Sequence, residues 1–209
     1  MRGLESEEFA ENFNVSRETI ERLKIYERLT QKWNPVINLV SKSTVDAIWA
    51  RHFWDSTEVF QAAQPSTGKW VDIGSGGGFP GIVVALLAVE KSPELEITCI
   101  EADIRKCEFL RTVARTTGIK VKILTRRIEE TPNQNADYIS ARALAPLSKL
   151  IGLIEKHLNQ SGHAYLHKGE NWEKEVEEAR GFWKFDLEVF RDDQKATSTI
   201  LKIGNIVGA

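Results

Sequence analysis

Cysteine is almost missing from this chain: Cys99 and Cys107 are the only two among 209 residues. They form no disulfide framework and stand at no metal-ligand spacing from the four histidines, so a stapled scaffold and a zinc site are both excluded. Sparse thiols fit a reducing compartment, and a cytoplasmic location is expected. Long apolar runs are missing too. The longest, Ile82–Val89, is far short of the ~20 residues of a membrane span. The first dozen residues carry Glu5, Glu7, Glu8 and Glu11 with no apolar stretch, unlike a secretory leader. Repeats and low-complexity tracts are absent. Net charge is small, −2, so nothing in the total commits the chain to a polyanionic partner.

What the chain does contain is a globular composition, 42% hydrophobic and 28% charged, sufficient for a core without staples. Its charge is unevenly placed. Ile104 to Arg127 carries eight basic residues and one acid, whereas Glu170 to Asp193 carries nine acids and four bases. A local positive zone attracts phosphates even on a nearly neutral molecule, because salt screens beyond about 10 Å. A solvated helix face with its loops reads equally well.

The first seventy residues read as helices. Ser16 caps a segment with Ile20, Leu23, Tyr26, Leu29 and Trp33 at steps of three and four, and Asn34–Pro35 is expected to end it. Ser43 with Asp46 opens a second helix to about Phe60. After Gly68 strands alternate with helices. The strands fall at Lys69–Ile73, Leu95–Glu101, Ile119–Leu124, Asp137–Ser140, Gly162–His167, Phe185–Phe190 and Thr197–Ile203. The helices are one over Ile82–Val89 behind Pro80, then Ile104–Thr117 closed by Gly118, Pro146–Asn159 and Trp172–Arg180. Alternation of this kind implies parallel pairing, and the short last connection implies an antiparallel hairpin. The expected fold is α/β, a Rossmann-like doubly wound, mostly parallel seven-stranded sheet with an antiparallel C-terminal hairpin and an N-terminal helical extension. The chain is read as one domain, a helical cap over 1–67 on a core over 68–209.

In such sheets ligands sit beyond the carboxyl end of the first strand. Here that place holds Asp72-Ile73-Gly74-Ser75-Gly76-Gly77-Gly78-Phe79-Pro80-Gly81, with five glycines. So many glycines between a buried strand and a buried helix exceed what a connector needs and fit close approach of backbone to ligand. Phe79 stands where a dinucleotide fingerprint wants glycine, and the Walker lysine is missing. What remains resembles the first motif of class I S-adenosylmethionine methyltransferases. In that class the acid, here Asp72, lies beside the cationic methionine end, and a carboxylate there would repel a pyrophosphate. Glu101, ending the second strand, is placed for ribose hydroxyls, as are acids in dinucleotide folds.

Four stretches narrow the resemblance: Trp33-Asn34-Pro35-Val36-Ile37-Asn38-Leu39, Arg51-His52-Phe53-Trp54-Asp55-Ser56, Val71–Ile82, and Ser140-Ala141-Arg142-Ala143. In this order they look like the bacterial ribosomal small-subunit methyltransferase G family, also called glucose-inhibited division protein B. Two departures are Phe79, where many members have leucine, and Phe53–Trp54, where Leu-Leu is usual. The resemblance implies methylation of N7 of one guanine in 16S ribosomal RNA with S-adenosyl-L-methionine. It implies cofactor contacts at Gly74 and Phe79 within a loop that also holds Gly76 and Gly78, an adenine end at Ile128 and Glu129, and a cofactor-site Arg142. The expected partner is small-subunit ribosomal RNA or the 30S subunit, met by a monomer, with no membrane and no metal.

The chemistry tolerates this assignment. Guanine N7 carries a lone pair and no proton, so positioning alone, worth roughly 7–11 kcal/mol, can do the work, and no catalytic side chain is expected. Ser140-Ala141-Arg142-Ala143 is not the Asn/Asp-Pro-Pro-aromatic sequence typical of exocyclic-amine methylation. No cysteine lies nearby for cytosine C5 chemistry, and both cysteines read as core. RNA contact is expected from Arg51 and His52, set among Trp49, Phe53 and Trp54, and from Lys168, Arg105, Arg126 and Arg127. The bland alternatives are that Glu108 pairs with Arg111 and Arg115 and that the aromatics pack the cap onto the sheet. Two other functions stay open: a ribosome-binding or assembly module of the same fold, and a small-molecule methyltransferase.

Overall fold

The computed structural model describes residues 2–191 and 199–209, with side chains from residue 5 onward. Two helices open the chain, α1 (Arg2–Phe13) and α2 (Arg17–Ile37). Ser16 caps α2 by accepting from the Thr19 amide at 3.2 Å. The helix does not stop at Asn34–Pro35, as the sequence implied, but runs three residues further. Proline in the last turn loses only the bond to the Gln31 carbonyl. Asn34 compensates by capping the exit, its Oδ1 accepting from the Leu39 and Val40 amides at 2.7 and 2.9 Å.

The expected single helix from Ser43 to Phe60 is instead three pieces: a 3-10 turn (Val45–Ala47), a π turn (Trp49–Phe53) and α3 (Trp54–Ala63). Ser43 does not cap. A wider turn puts both Trp49 and Phe53 into the core, ring centroids 5.0 Å apart and edge to face. Such bulges cluster at functional sites, and this one carries His52.

The remaining elements are β1 (Thr67–Ile73), α4 (Gly81–Lys91), β2 (Glu94–Glu101), α5 (Ile104–Thr117), β3 (Lys122–Thr125), β4 (Ala136–Arg142), α6 (Leu147–His157), β5 (Leu158–Lys168), α7 (Trp172–Arg180), β6 (Trp183–Arg191) and β7 (Thr199–Gly208). They build one seven-stranded sheet in the order β3-β2-β1-β4-β5-β7-β6. β1 to β5 are parallel, and β7 pairs antiparallel with both β5 and β6. The α/β architecture and terminal hairpin are therefore as expected. Thr197 and Ser198 of the expected last strand lie outside the described residues.

Both faces of the sheet are covered, so its central strands read as continuous apolar runs. Successive side chains alternate faces: Trp70 and Cys99 pack under α4 and α5, whereas Val71, Ile73 and Ile100 pack toward α6 and α7. The aromatic residues of α1 and the π turn join the first cluster. Phe9 meets Phe13 at a tilt and Trp49 edge to face, and Phe13 meets Trp54 edge to face. At β1 the order reverses, β2 on one side and β4 on the other. That switch point positions the site.

Candidate active site

Beyond the carboxyl ends of β1, β2 and β4 lies a cavity of about 690 Å³. Its floor is the loop after β1. Gly74, Gly76 and Gly78 take φ of +66°, +54° and +93°, the left-handed region that side chains disfavour. Most of the loop's amides turn inward. Those of Gly74 and Ser75 donate to the Ile100 carbonyl at 2.9 and 3.1 Å, and that of Gly78 to the Ser75 carbonyl at 2.7 Å. The Gly76 amide donates to the Glu101 carboxylate at 2.8 Å, which also accepts from the Asp103 amide at 2.8 Å. Glu101 thus ties the glycine loop to the start of α5 while facing the cavity.

One wall is an aromatic and cationic stack. Phe79 is buried, lies parallel to Tyr26 with centroids 5.2 Å apart, and meets His52 at 4.8 Å. Tyr26 donates from its hydroxyl to the Gly77 carbonyl. Arg142, at the end of β4, places its guanidinium 5.1 Å from the Phe79 centroid, within cation–π range. Burial lowers the Arg142 pKa, opposed chiefly by Asp55 and then by Tyr26 and Asp72. His52 is held neutral: burial, with the Arg142 and Arg51 charges, pushes it down to about 3. Its Nε2 meets Thr44 Oγ1 at 2.9 Å. His167, beside Asp55 at 3.7 Å, is pushed down to about 4 by burial and the same guanidinia.

Of the residues expected to hold a cofactor, Gly74, Gly76, Phe79, Glu101, Ile128, Glu129 and Arg142 line this cavity. Two do not. Asp72 is fully buried beneath it, its Oδ1 accepting from Ser140 Oγ at 2.7 Å. Strand parity explains this, since Asp72 shares a face with Trp70 and points under α4. A Cβ on Gly81 there would come within 2.7 Å of the Asp72 carboxylate. Burial raises the Asp72 pKa to about 6 against the hydrogen bonds from Ser140, Ser75 and Gly81. Gly78 faces the helices instead; a Cβ on it would fall 2.5 Å from the Tyr26 hydroxyl and 2.6 Å from Ile82.

The residues expected to touch RNA scatter more widely. His52, Arg126 and Arg127 line the cavity. Arg51 is exposed, and its carbonyl accepts from Arg142 at 3.4 Å. Arg105 stands outside, 3.5 Å from Asp103. Lys168 is buried, bonded to Glu175 at 2.8 Å and to the Ala145 carbonyl at 3.2 Å, so it is engaged within the fold. The aromatics around His52 pack the helices rather than offering open faces. Trp49 and Phe53 are buried, and Trp49 donates to Glu27 at 3.1 Å. Glu108 does pair with Arg111.

The sequence model of rRNA small subunit methyltransferase G matches residues 19–196. The chain belongs to that family. Its relatives include the ribosomal RNA small subunit methyltransferase G of Ruegeria sp. (strain TM1040), 50% identical over 92% of this chain and 94% of the relative. Its counterpart in Ruegeria pomeroyi is 46% identical over 94% of this chain and 96% of that one. Among solved structures, a TehB-like SAM-dependent methyltransferase from Corynebacterium glutamicum superposes with a TM-score of 0.58. It is 13% identical, over 87% of this chain and 98% of that one, a likeness of fold. Among the described residues no helix is long and apolar enough to cross a membrane.

In this member of the family, sequence reasoning missed two parts of the wall. Leu39, Val40, Ser41 and Thr44 close the cavity from the helical side, and Ala143 and Leu144 from the end of β4. The Trp33–Leu39 stretch marked only Leu39 of the first group, and Ser140–Ala143 only Ala143 of the second. Ala143 has a φ of +52°, a strained conformation with no composition signature.

Proposed function

We propose that this protein transfers the methyl group of S-adenosylmethionine to N7 of a guanine in 16S ribosomal RNA. The observation that carries the reading is the engagement of the glycine-loop amides. A pyrophosphate cofactor needs those N–H groups free at a helix start, but here those of Gly74, Ser75, Gly76 and Gly78 are bonded within the chain. The loop instead presents close backbone, the Glu101 carboxylate and the Phe79–Arg142 wall, which suits a nucleoside with an amino-acid tail whose carboxylate meets the guanidinium.

Within that reading Glu101 takes the ribose hydroxyls on the lone pairs left by Gly76 and Asp103. Ile128 and Glu129, on the opposite lip, receive the adenine. Gly74 and Phe79 flank the amino-acid end, and Arg142 fixes that wall. Asp72 acts from beneath, bonded through Ser140 to the strand that carries Arg142. Bound S-adenosylmethionine supplies a methyl group on a positively charged sulfur. The chain's own contribution is to hold an aromatic nitrogen in line and to exclude water, which can account for roughly 7–11 kcal/mol. A guanine N7 has no proton to lose, so the transfer calls for no base, and neutral His52 is part of the wall, its Nε2 bonded to Thr44.

Arg126 and Arg127 on the cavity wall, with exposed Arg51 and Arg105, give the surface its phosphate-binding charge. The test is to mix purified protein with unmethylated small-subunit RNA or subunits and methyl-labelled cofactor. Many turnovers that cease after nuclease treatment or at high salt are expected. Absence of transfer to RNA, or tight binding of a dinucleotide by calorimetry, would overturn the reading.

A further inference from the structure

A second groove, of about 720 Å³, adjoins the first. The two share one wall, Arg142, Ala143 and Leu144, which lines both. The far side is α7, from the acidic stretch that an RNA-binding reading leaves unused. Asn171, Lys174, Glu175 and Glu178 recur at helical spacing and face the groove, while Val176 and Ala179 are buried on the opposite stripe. Lys168 and Lys174 line the groove beside these acids, and an open carboxylate among them suits the N–H groups of a base edge.

Those acids are not equivalent. Glu175 accepts from the Leu147 amide at 2.9 Å and from Lys168 at 2.8 Å, pinning α7 to the start of α6 and the end of β5. Glu178, one turn on, meets only Lys174 among the described residues, at 4.0 Å, and its carboxylate is open to the groove. On the shared wall Leu144 is 38% exposed, an apolar surface at the junction. It is carried past Gly74 by the left-handed turn at Ala143, where a Cβ on Gly74 would lie 2.5 Å from the Leu144 side chain.

We propose that this groove receives the target guanine, with Glu178 accepting from its N1–H and exocyclic amine and Leu144 against its ring face. The proposal rests on the guanine-N7 reading above. Those donors and N7 lie at opposite ends of the purine, so a base anchored at α7 turns N7 toward the shared wall and the first cavity. In the transfer the N7 lone pair forms the new N–C bond and the C–S bonding pair stays on sulfur. Positive charge passes to the purine and no proton moves. A carboxylate on the far edge of the ring therefore stabilises charge that grows as the bond forms.

The experiment compares two RNAs identical except at the nucleotide that the wild-type protein methylates, guanosine in one and inosine in the other. Inosine keeps N7 and N1–H but lacks the exocyclic amine. Because Glu178 is exposed, Glu178→Ala keeps the fold, verified by unchanged cofactor affinity in calorimetry. Wild-type protein is expected to prefer guanosine by roughly tenfold or more in kcat/KM, and in affinity with the demethylated cofactor bound. Glu178→Ala should lower both values more for guanosine, which loses two bonds, than for inosine, which loses only the one from N1–H, bringing the ratio to within about twofold of one. A ratio unchanged by the substitution, no preference in the wild type, or equal losses on both RNAs overturns the groove assignment alone. Methylation of neither RNA by wild-type protein overturns the guanine reading and this assignment with it.

Discussion

The guanidinium of Arg142 lies over the ring of Phe79, 5.1 Å from its centroid, and donates to the Arg51 carbonyl at 3.4 Å. One side chain thus joins the end of β4, the glycine loop and the π turn, three segments far apart in sequence. Flat stacking on a ring and a fixed fork of donors are arginine properties that lysine does not reproduce.

Arg142→Lys should therefore weaken S-adenosylmethionine binding by about tenfold, or about 1.4 kcal/mol. Arg142→Ala should weaken it further and also lower stability, because Asp55 and Asp72 lose the opposing charge. Calorimetry and urea unfolding measure the two effects, and wild-type affinity in both variants would remove Arg142 from the site.

Asp72 gives a pH signature. Its folded pKa, about 6, lies above the unfolded value, so the folded chain binds more protons between about pH 4 and 6 and this group's contribution falls as pH rises through that window. Asp72→Asn should gain stability relative to wild type between pH 4 and 7, by at most about 3 kcal/mol. The difference in urea unfolding free energy across that range is the measurement, and parallel curves would contradict it.

His52 has the opposite sign. Its folded pKa, about 3, lies below the unfolded value, so its contribution is complete above about pH 6.5 and is lost as pH falls toward 3. Relative to His52→Asn, the wild type should lose up to about 2 kcal/mol between pH 7 and 5. The same unfolding series checks this, and a flat difference would place the imidazole in water.

The glycines separate binding from folding. A Cβ at Gly76 would meet nothing nearer than the Gly74 carbonyl at 3.8 Å, so Gly76→Ala should fold, at a cost of about 1–2 kcal/mol for its left-handed φ, and lose cofactor affinity. Gly78→Ala should chiefly destabilise, by about 1–3 kcal/mol or more from crowding Tyr26 and Ile82. Thermal melting and calorimetry together distinguish the two, and the reverse pattern would mean the loop faces are misassigned.

Much of the fold was legible because its rules are local. Gly118 closes α5 where expected, and α7 spans the expected residues, since a cap and a 3.6-residue period are written in neighbouring positions. Pro35 misled because the Asn34 side chain, capping its own helix end, outweighed a dipeptide preference. The π turn at Trp49–Phe53 was hidden for a similar reason: two aromatics seeking one core set its width. In the site, the loop and Glu101 follow from strand ends, which sequence marks well. Asp72 does not, because which face a strand residue takes depends on the layer above it. Lys168 looked free beside the site because its partner, Glu175, sits on the next helix, and a sequence lists charges without their pairings.

The central claim is that the cavity beyond β1 delivers a methyl group to an aromatic nitrogen of small-subunit RNA by positioning alone. Its most direct test is mass mapping of unmethylated 16S ribosomal RNA after incubation with this protein and S-adenosylmethionine. The account predicts one added methyl on a single guanine, sited at N7 by chain cleavage after borohydride reduction and aniline treatment. A methyl on an exocyclic amine, a ribose or a pyrimidine carbon, or none at all, would contradict it.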